Sequence, residues 1–222
     1  KVGRFIGNEM MRNIIGQSKS GFDLGKVMDE KKIFLANLSK GMTGEVNSSL
    51  LGLILVSKMQ MAAMKRARVP EEERKDFYLY IDEFQNFTTD SITTILSEAR
   101  KYRLNLVLAH QYITQLTEPI RNAVLGNVGT IGAFRVGAED AQFLEKQFEP
   151  EFSRMDLVNI DNFNFCAKIM IDNKVYPPFK MQTIMPAKGN PKIVEPIKKL
   201  AKLKYGRPKE EVEAEINQRS NL

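Results

Sequence analysis

Phe77-Tyr78-Leu79-Tyr80-Ile81-Asp82-Glu83 is the stretch that decides how this chain is read. Five apolar or aromatic residues follow the charged run Glu71 to Asp76, which predicts a buried strand, and two acids stand at its carboxyl end. In open α/β sheets that edge is where ligands bind. Buried strands do not usually end in adjacent acids for packing reasons, because a desolvated carboxylate needs a partner. Two readings follow. Either Asp82 and Glu83 begin a solvated loop, or one holds Mg²⁺ through water while the next orients or deprotonates an attacking water.

Working outward, Leu104 to Ala109 is a second apolar run, and it ends in His110-Gln111. Parallel neighbours bring both carboxyl ends to one edge, so Gln111 is expected beside Asp82 and Glu83, as a phosphate or water contact or as an ordinary loop residue. Between the two runs lies a predicted helix with Ile92, Ile95, Leu96 and Ala99 on one face, capped by Thr88, Thr89 or Asp90. Its basic end, Arg100-Lys101-Tyr102-Arg103, either complements the helix dipole or presents Arg100 to a neighbouring subunit's nucleotide. His110 lacks acid and nucleophile partners in sequence, so support for Gln111 is the expectation there.

Upstream, Ile33 to Leu38 predicts another buried strand, and Ser48 to about Arg68 a long core helix. Downstream, a helix over 120–128, a strand over 130–136 and a helix over 139–148 follow, then a hairpin from 165–171 and 175–183. Strand–helix alternation with continuous apolar strands predicts an α/β fold: a mostly parallel sheet with helices on both faces, plus a terminal β-hairpin. Residues 1–187 are expected to form that domain and residues 188–222 a basic Pro/Lys-rich tail, extended or linker-like, with a short polar helix over 210–219.

Charge is concentrated in the tail. Lys188 to Lys209 holds eight Lys/Arg and one acid, so the rest of this +6 chain sums to −1. DNA phosphates, anionic lipid and plain solvent are all compatible surroundings for it. One histidine and one cysteine exclude a His/Cys zinc site within the chain, and neither zinc nor haem is expected as a partner. Cys166 can form no intramolecular disulfide and reads as a small buried hydrophobe. The most apolar run, Ser48 to Ser57, is shorter than the roughly 20 residues a bilayer requires.

The ordered set Tyr80-Ile81-Asp82-Glu83-Phe84, Glu98-Ala99-Arg100-Lys101 and Leu108-Ala109-His110-Gln111 resembles the second half of the FtsK/HerA superfamily of hexameric motors. The resemblance is to the TraG/TraD-type coupling ATPases of conjugation and type IV secretion, with Gly16-Gln17-Ser18-Lys19-Ser20 and Leu35 to Gly41 also similar. It implies a RecA-like fold, Asp82 as the Walker B metal residue (Mg²⁺, through water), Glu83 as catalytic base and Gln111 as phosphate sensor. Arg100, eleven positions before Gln111, matches the family's arginine finger. Arg135 is a second candidate for nucleotide or interface contact; its other reading is an exposed strand-end cation. The implied cofactor is Mg-ATP. The implied partners are a homo-oligomeric ring, expected to be a hexamer, a DNA or nucleoprotein substrate, and secretion or conjugation machinery. The implied location is cytoplasmic, at the inner face of the cell membrane.

One departure stands against the pattern. No G-x-x-x-x-G-K-[ST] occurs in the chain, and Gly16 to Gly21 lacks that spacing. The expectation is a P-loop upstream of Lys1, this chain being the carboxyl-terminal part of a longer ATPase. The alternative is a non-catalytic, degenerate ATPase-fold module that recruits a secretion substrate or a partner ATPase.

Overall fold

A computed structural model describes residues 7–88 and 91–220, so the candidate caps Thr89 and Asp90 lie outside the described residues. Contacts divide the chain into two units: described residues of Lys1–Val27 together with those of Ala187–Leu222, and Met28–Pro186. The described residues up to Val27 are thus grouped with those from Ala187 onward.

The chain enters through α1 (Glu9–Ile15), whose first turn is capped by Asn8 Oδ1 accepting from Met11 N at 3.0 Å. Asp23 caps α2 (Leu24–Asp29) in the same way, accepting from Gly25 N at 2.8 Å. After an extended passage and a helical turn at Lys40–Thr43, Gly44 at φ 79° turns the chain into α3 (Glu45–Lys65). That helix is longer than its apolar stretch suggests. The helical stretch Glu45–Arg68 is, by length and composition only, long and apolar enough to cross a membrane, unlike the expected run Ser48–Ser57. One stripe of it is packed: Ser48, Gly52, Met59 and Ala63 are buried at spacings of four and seven, with Phe87 lying on Gly52.

Arg66, at the end of α3, is 4% exposed. Its guanidinium bonds Asp29 Oδ1 at 3.1 Å, Lys75 O at 2.9 Å and Tyr102 O at 3.2 Å, tying the segments that enter two strands. Those strands are β1 (Phe77–Ile81) and, after α4 (Ser91–Glu98), β2 (Leu104–Leu108). They pair in parallel, Phe77 with Leu104 through Ile81 with Leu108.

The second half builds a separate sheet. After α5 (Glu118–Asn127), β3 (Ile131–Ala133) leads into α6 (Ala138–Phe148) and α7 (Arg154–Val158), the last closed by a Ser153–Asp156 capping box. Then β4 (Asn164–Lys168), a two-residue hairpin β5 (Met170–Ile171) and β6 (Lys174–Val175), and β7 (Phe179–Gln182) follow. The order is β3-β4-β7, all antiparallel. Ile113, Ala133, Ala141, Leu144, Phe148, Leu157, Ile160 and Cys166 form one buried cluster beneath it. Burial pushes the Cys166 thiol up, as a small buried hydrophobe requires.

The expectation of a mostly parallel sheet is therefore met only in part. Among the described residues, the parallel sheet has two strands. The strand expected over 130–136 does not join it, because the returning chain at β4 offers its edge an antiparallel partner. The residues expected as a strand at Ile33–Leu38 are not part of a strand, and Ile33 is 89% and Leu35 83% exposed.

The tail is helical where extended chain was expected. Residues 194–205 form α8 (Val194–Tyr205) and residues 209–220 form α9 (Lys209–Ser220). Pro196 falls in the first turn of α8, where a missing N–H costs nothing. Within this unit α9 meets α1: Asn13 Nδ2 donates to Glu213 Oε1 at 3.0 Å, and Lys209 pairs with Glu9.

Candidate functional site

The carboxyl edge of the β1–β2 pair carries the acids and the amide together. The two strands remain linked past their ends, Ala109 N donating to Ile81 O and Phe84 N to Ala109 O, each at 3.0 Å. This clamp holds Asp82-Glu83 opposite His110-Gln111. Between them the backbone turns sharply, because Glu83 adopts a left-handed conformation, φ 49° and ψ 46°. A β-unbranched residue outside glycine occupies that region at a cost on the order of 1 kcal/mol, typical of positions held by their surroundings.

The surroundings are specific. Glu83 Oε1 accepts from Gln111 Nε2, and Glu83 Oε2 accepts from Gln85 Nε2 at 2.6 Å. Its backbone oxygen takes Asn86 N at 3.0 Å and Asn86 Nδ2 at 3.1 Å. The carboxylate is thus bracketed by two neutral amides, one from its own loop and one from the neighbouring strand. Asp82 is exposed, and its Oδ1 accepts from Glu83 N at 3.0 Å.

Beneath the edge Phe84, 1% exposed, packs edge-on against His110 with ring centroids 5.1 Å apart. Burial depresses the His110 pKa, opposed by weaker raising effects from the Tyr112 backbone, Asp140 and Glu83. The His110 ring thus packs on Phe84 next to Gln111.

An open cleft of about 1650 Å³ lies beside β1, and Asp82, Glu83 and Gln111 line it. Mg²⁺ is commonly held by one or two carboxylates with several waters and substrate phosphates. An exposed Asp82 next to an amide-held Glu83 fits the metal-and-water end of such a site. Among the described residues, no group of three or more His, Cys, Asp or Glu gathers to bind a metal by itself. Nor does the sequence supply a glycine-rich lysine loop for the phosphates.

Arg100 and Arg135 stand elsewhere. Arg100 precedes β2, at the amino end of the strand, and donates to Asn173 Oδ1 in the β5–β6 turn at 3.0 Å. Five strand residues separate it from Gln111, about 17 Å at roughly 3.3 Å per residue. Arg135 follows β3 in the antiparallel sheet and donates to Asn162 Oδ1 at 3.1 Å. Neither lines the cleft at Glu83. Sequence reasoning missed Gln85, whose signal was its place two residues after Glu83, and Arg66, which carried no signal apart from tertiary structure.

Residues 76–147 match the family model described as "TraM recognition site of TraD and TraG". That segment runs from the residue before β1 nearly to the end of α6 and contains all five candidate site residues. The likeness to TraG/TraD-type coupling ATPases is borne out. Among solved structures, the fold is similar to the plasmid coupling protein TrwB, described in complex with the non-hydrolysable GTP analogue GDPNP. The TM-score is 0.50 at 15% identity, covering 64% of this chain and 39% of that one. This chain therefore spans well under half of that coupling protein's length, and at this identity the likeness is one of fold. No curated protein matches the sequence.

Proposed function

We propose that this chain is the Walker B-bearing, carboxyl-terminal part of an ATP-driven motor of the conjugation or type IV secretion type, whose strands β1 and β2 belong to a larger RecA-like sheet. The observation that supports this most is the bracketing of the Glu83 carboxylate by Gln111 and Gln85 at the carboxyl ends of paired parallel strands. Bound Mg-ATP would supply the phosphoanhydride to be broken and the metal that offsets its charge. Asp82 would hold the metal's water shell. Glu83 would take a proton from, or orient, the attacking water. Gln111 already shares a hydrogen bond with Glu83, so a change in its contact to the terminal phosphate would be felt at the base directly. Arg100, remote from this edge, would serve a neighbouring subunit in a ring, expected to be hexameric. DNA or nucleoprotein would be the cargo, at the inner face of the membrane.

Without a phosphate cradle the isolated chain should hydrolyse no Mg-ATP above buffer. In the longer protein this reading requires, one that includes a P-loop, Glu83→Gln should abolish turnover while nucleotide still binds. Loss of binding together with turnover, or no loss of either, would count against Glu83 as base.

The description of the matched family favours a second reading, in which residues 76–147 dock a TraM-type protein of the DNA-processing complex. Binding of such a protein to this chain, unaffected by Glu83→Gln, supports docking independently of catalysis.

A further inference from the structure

Helix α8 buries none of its residues, yet it is sorted into two faces. At about 100° per residue, Ile197 and Leu200 stand in line with Ile193 of the turn leading into the helix. Val194 and Ala201 flank that line on one side and Leu203 on the other. Lys198, Lys199 and Lys202 fall on the opposite face with Glu195, which pairs with Lys198 at 2.9 Å. Helices of globular proteins turn such an apolar stripe to the core. Here Leu200 is 64% and Leu203 84% exposed.

The element is defined at both ends. Asn190 Oδ1 accepts from Lys192 N at 3.0 Å before it, and Gly206 N donates to Lys202 O at 2.9 Å after it. Tyr205 holds the last turn within its own unit, its ring edge-on to Phe22 with centroids 6.4 Å apart. From Lys188 to Tyr205 there are six lysines and one acid, a net charge of +5. Lys204 falls on the apolar side, with Nζ 5.4 Å from the centre of the Tyr205 ring. In the last turn its stem can run along that face while the head reaches out.

Different partners would complement different parts of this helix. DNA would take up the lysines but leave the apolar face in water. A second copy of α8 would cover the apolar face but bring another +5 segment against the first. An anionic lipid surface complements both faces at once. Acyl chains receive Ile193, Ile197, Leu200 and Leu203, while headgroup phosphates meet the lysines at the rim, Lys198 beside Val194 and Lys199 beside Leu203.

We infer that α8 is an interfacial helix, lying in the headgroup layer of an anionic membrane with Ile197 and Leu200 inserted. Its 12 residues make a rod about 18 Å long, so it lies on a bilayer and does not span the roughly 30 Å core. The contact uses none of the residues assigned to ATP chemistry.

Co-sedimentation of the whole chain with vesicles tests this. Binding to vesicles of about 3:1 phosphatidylcholine to phosphatidylglycerol should be about tenfold or more tighter than to phosphatidylcholine alone, and should weaken with salt. Ile197→Ser combined with Leu200→Ser should lower it by about tenfold or more. Lys198→Gln combined with Lys202→Gln should lower it severalfold. All four side chains are exposed, so both variants should keep the urea midpoint of the unsubstituted chain. The sequence has no tryptophan, so Leu203→Trp reports depth: its emission should shift to the blue on anionic vesicles and be quenched by brominated acyl chains. Binding indifferent to the Ile197 and Leu200 substitutions, or emission that stays that of an indole in water, would reduce the contact to charge alone and overturn the insertion. Equal binding to neutral vesicles, no binding to either, or a dimer in solution that those two substitutions dissolve would overturn the lipid partner. None of these readouts involves ATP, so failure of the motor reading is distinguishable from failure of this one.

Discussion

The Glu83 and Arg66 side chains are each held by more than one hydrogen bond, yet they should respond differently to substitution. Glu83 is half-buried at an open edge, where removing its charge while keeping its shape leaves water to satisfy its neighbours. Glu83→Gln should change folding stability by less than about 1 kcal/mol. In a protein with a complete site it should lower turnover by about 100-fold or more, the usual worth of a positioned base. Arg66→Ala is the reverse case. It leaves the carbonyls of Lys75 and Tyr102 without a buried donor, so urea denaturation should show a loss of about 3 kcal/mol. Asp29, being largely exposed, adds little to that loss. His110 gives a pH dependence. Burial lowers its folded pKa below the ordinary 6.5, so the folded state binds fewer protons there. The stability it contributes is present above pH 6.5 and is lost as pH falls toward the folded pKa; His110→Phe should remove that part of the slope. Asp82, Glu83 and Gln111 were legible in sequence because strand ends are. Gln85 and Arg66 were not, since their partners are chosen by a tight turn and by contacts 9 to 37 residues away.

At the scale of elements, the junction between α3 and the turn after β1 has no slack. A methyl on Gly52 would meet Phe87 Cγ at 3.0 Å and the ring edge closer still. Overpacking of this kind costs about 1–3 kcal/mol, against a helix-propensity gain of up to about 1 kcal/mol for replacing glycine. Gly52→Ala should therefore lower the urea midpoint, and adding Phe87→Leu should restore part of the loss. Apolar runs marked β1, β2 and α3 correctly as elements. The same signal misplaced residues 33–38 and 130–136, since an apolar run specifies burial but not the edge that will accept it. In the tail, proline and lysine density suggested extended chain over residues 194–205. Ile197, Leu200 and Ala201, at helical spacing, were the overlooked sign of α8.

At the scale of the molecule, the two units depend on different forces. Met28–Pro186 holds the apolar cluster of Ile113 to Cys166, whereas the unit of the first and last residues adds to buried Met11 and Val212 several charged contacts: Lys209 with Glu9, Arg207 with Glu215 at 2.6 Å, Arg219 with Gly16 O. Hydrogen bonds from Ser18 and Arg207 hold the Glu215 pKa at about 2, below the ordinary 4.5, and pairing with Lys209 lowers that of Glu9. Depressed carboxylates stabilise above their unfolded pKa and cease to do so as pH falls through the folded one. Proteolysis of α9 should consequently increase between about pH 4.5 and 2, with the 28–186 unit more resistant over the same range.

The central claim is that Asp82, Glu83 and Gln111 form the metal-and-water side of an ATP site that is completed by a phosphate loop outside this chain. Steady-state Mg-ATP hydrolysis by the longer protein, with and without Glu83→Gln, tests it most directly. The account predicts turnover that Glu83→Gln eliminates while nucleotide remains bound; turnover undiminished by the substitution would contradict it.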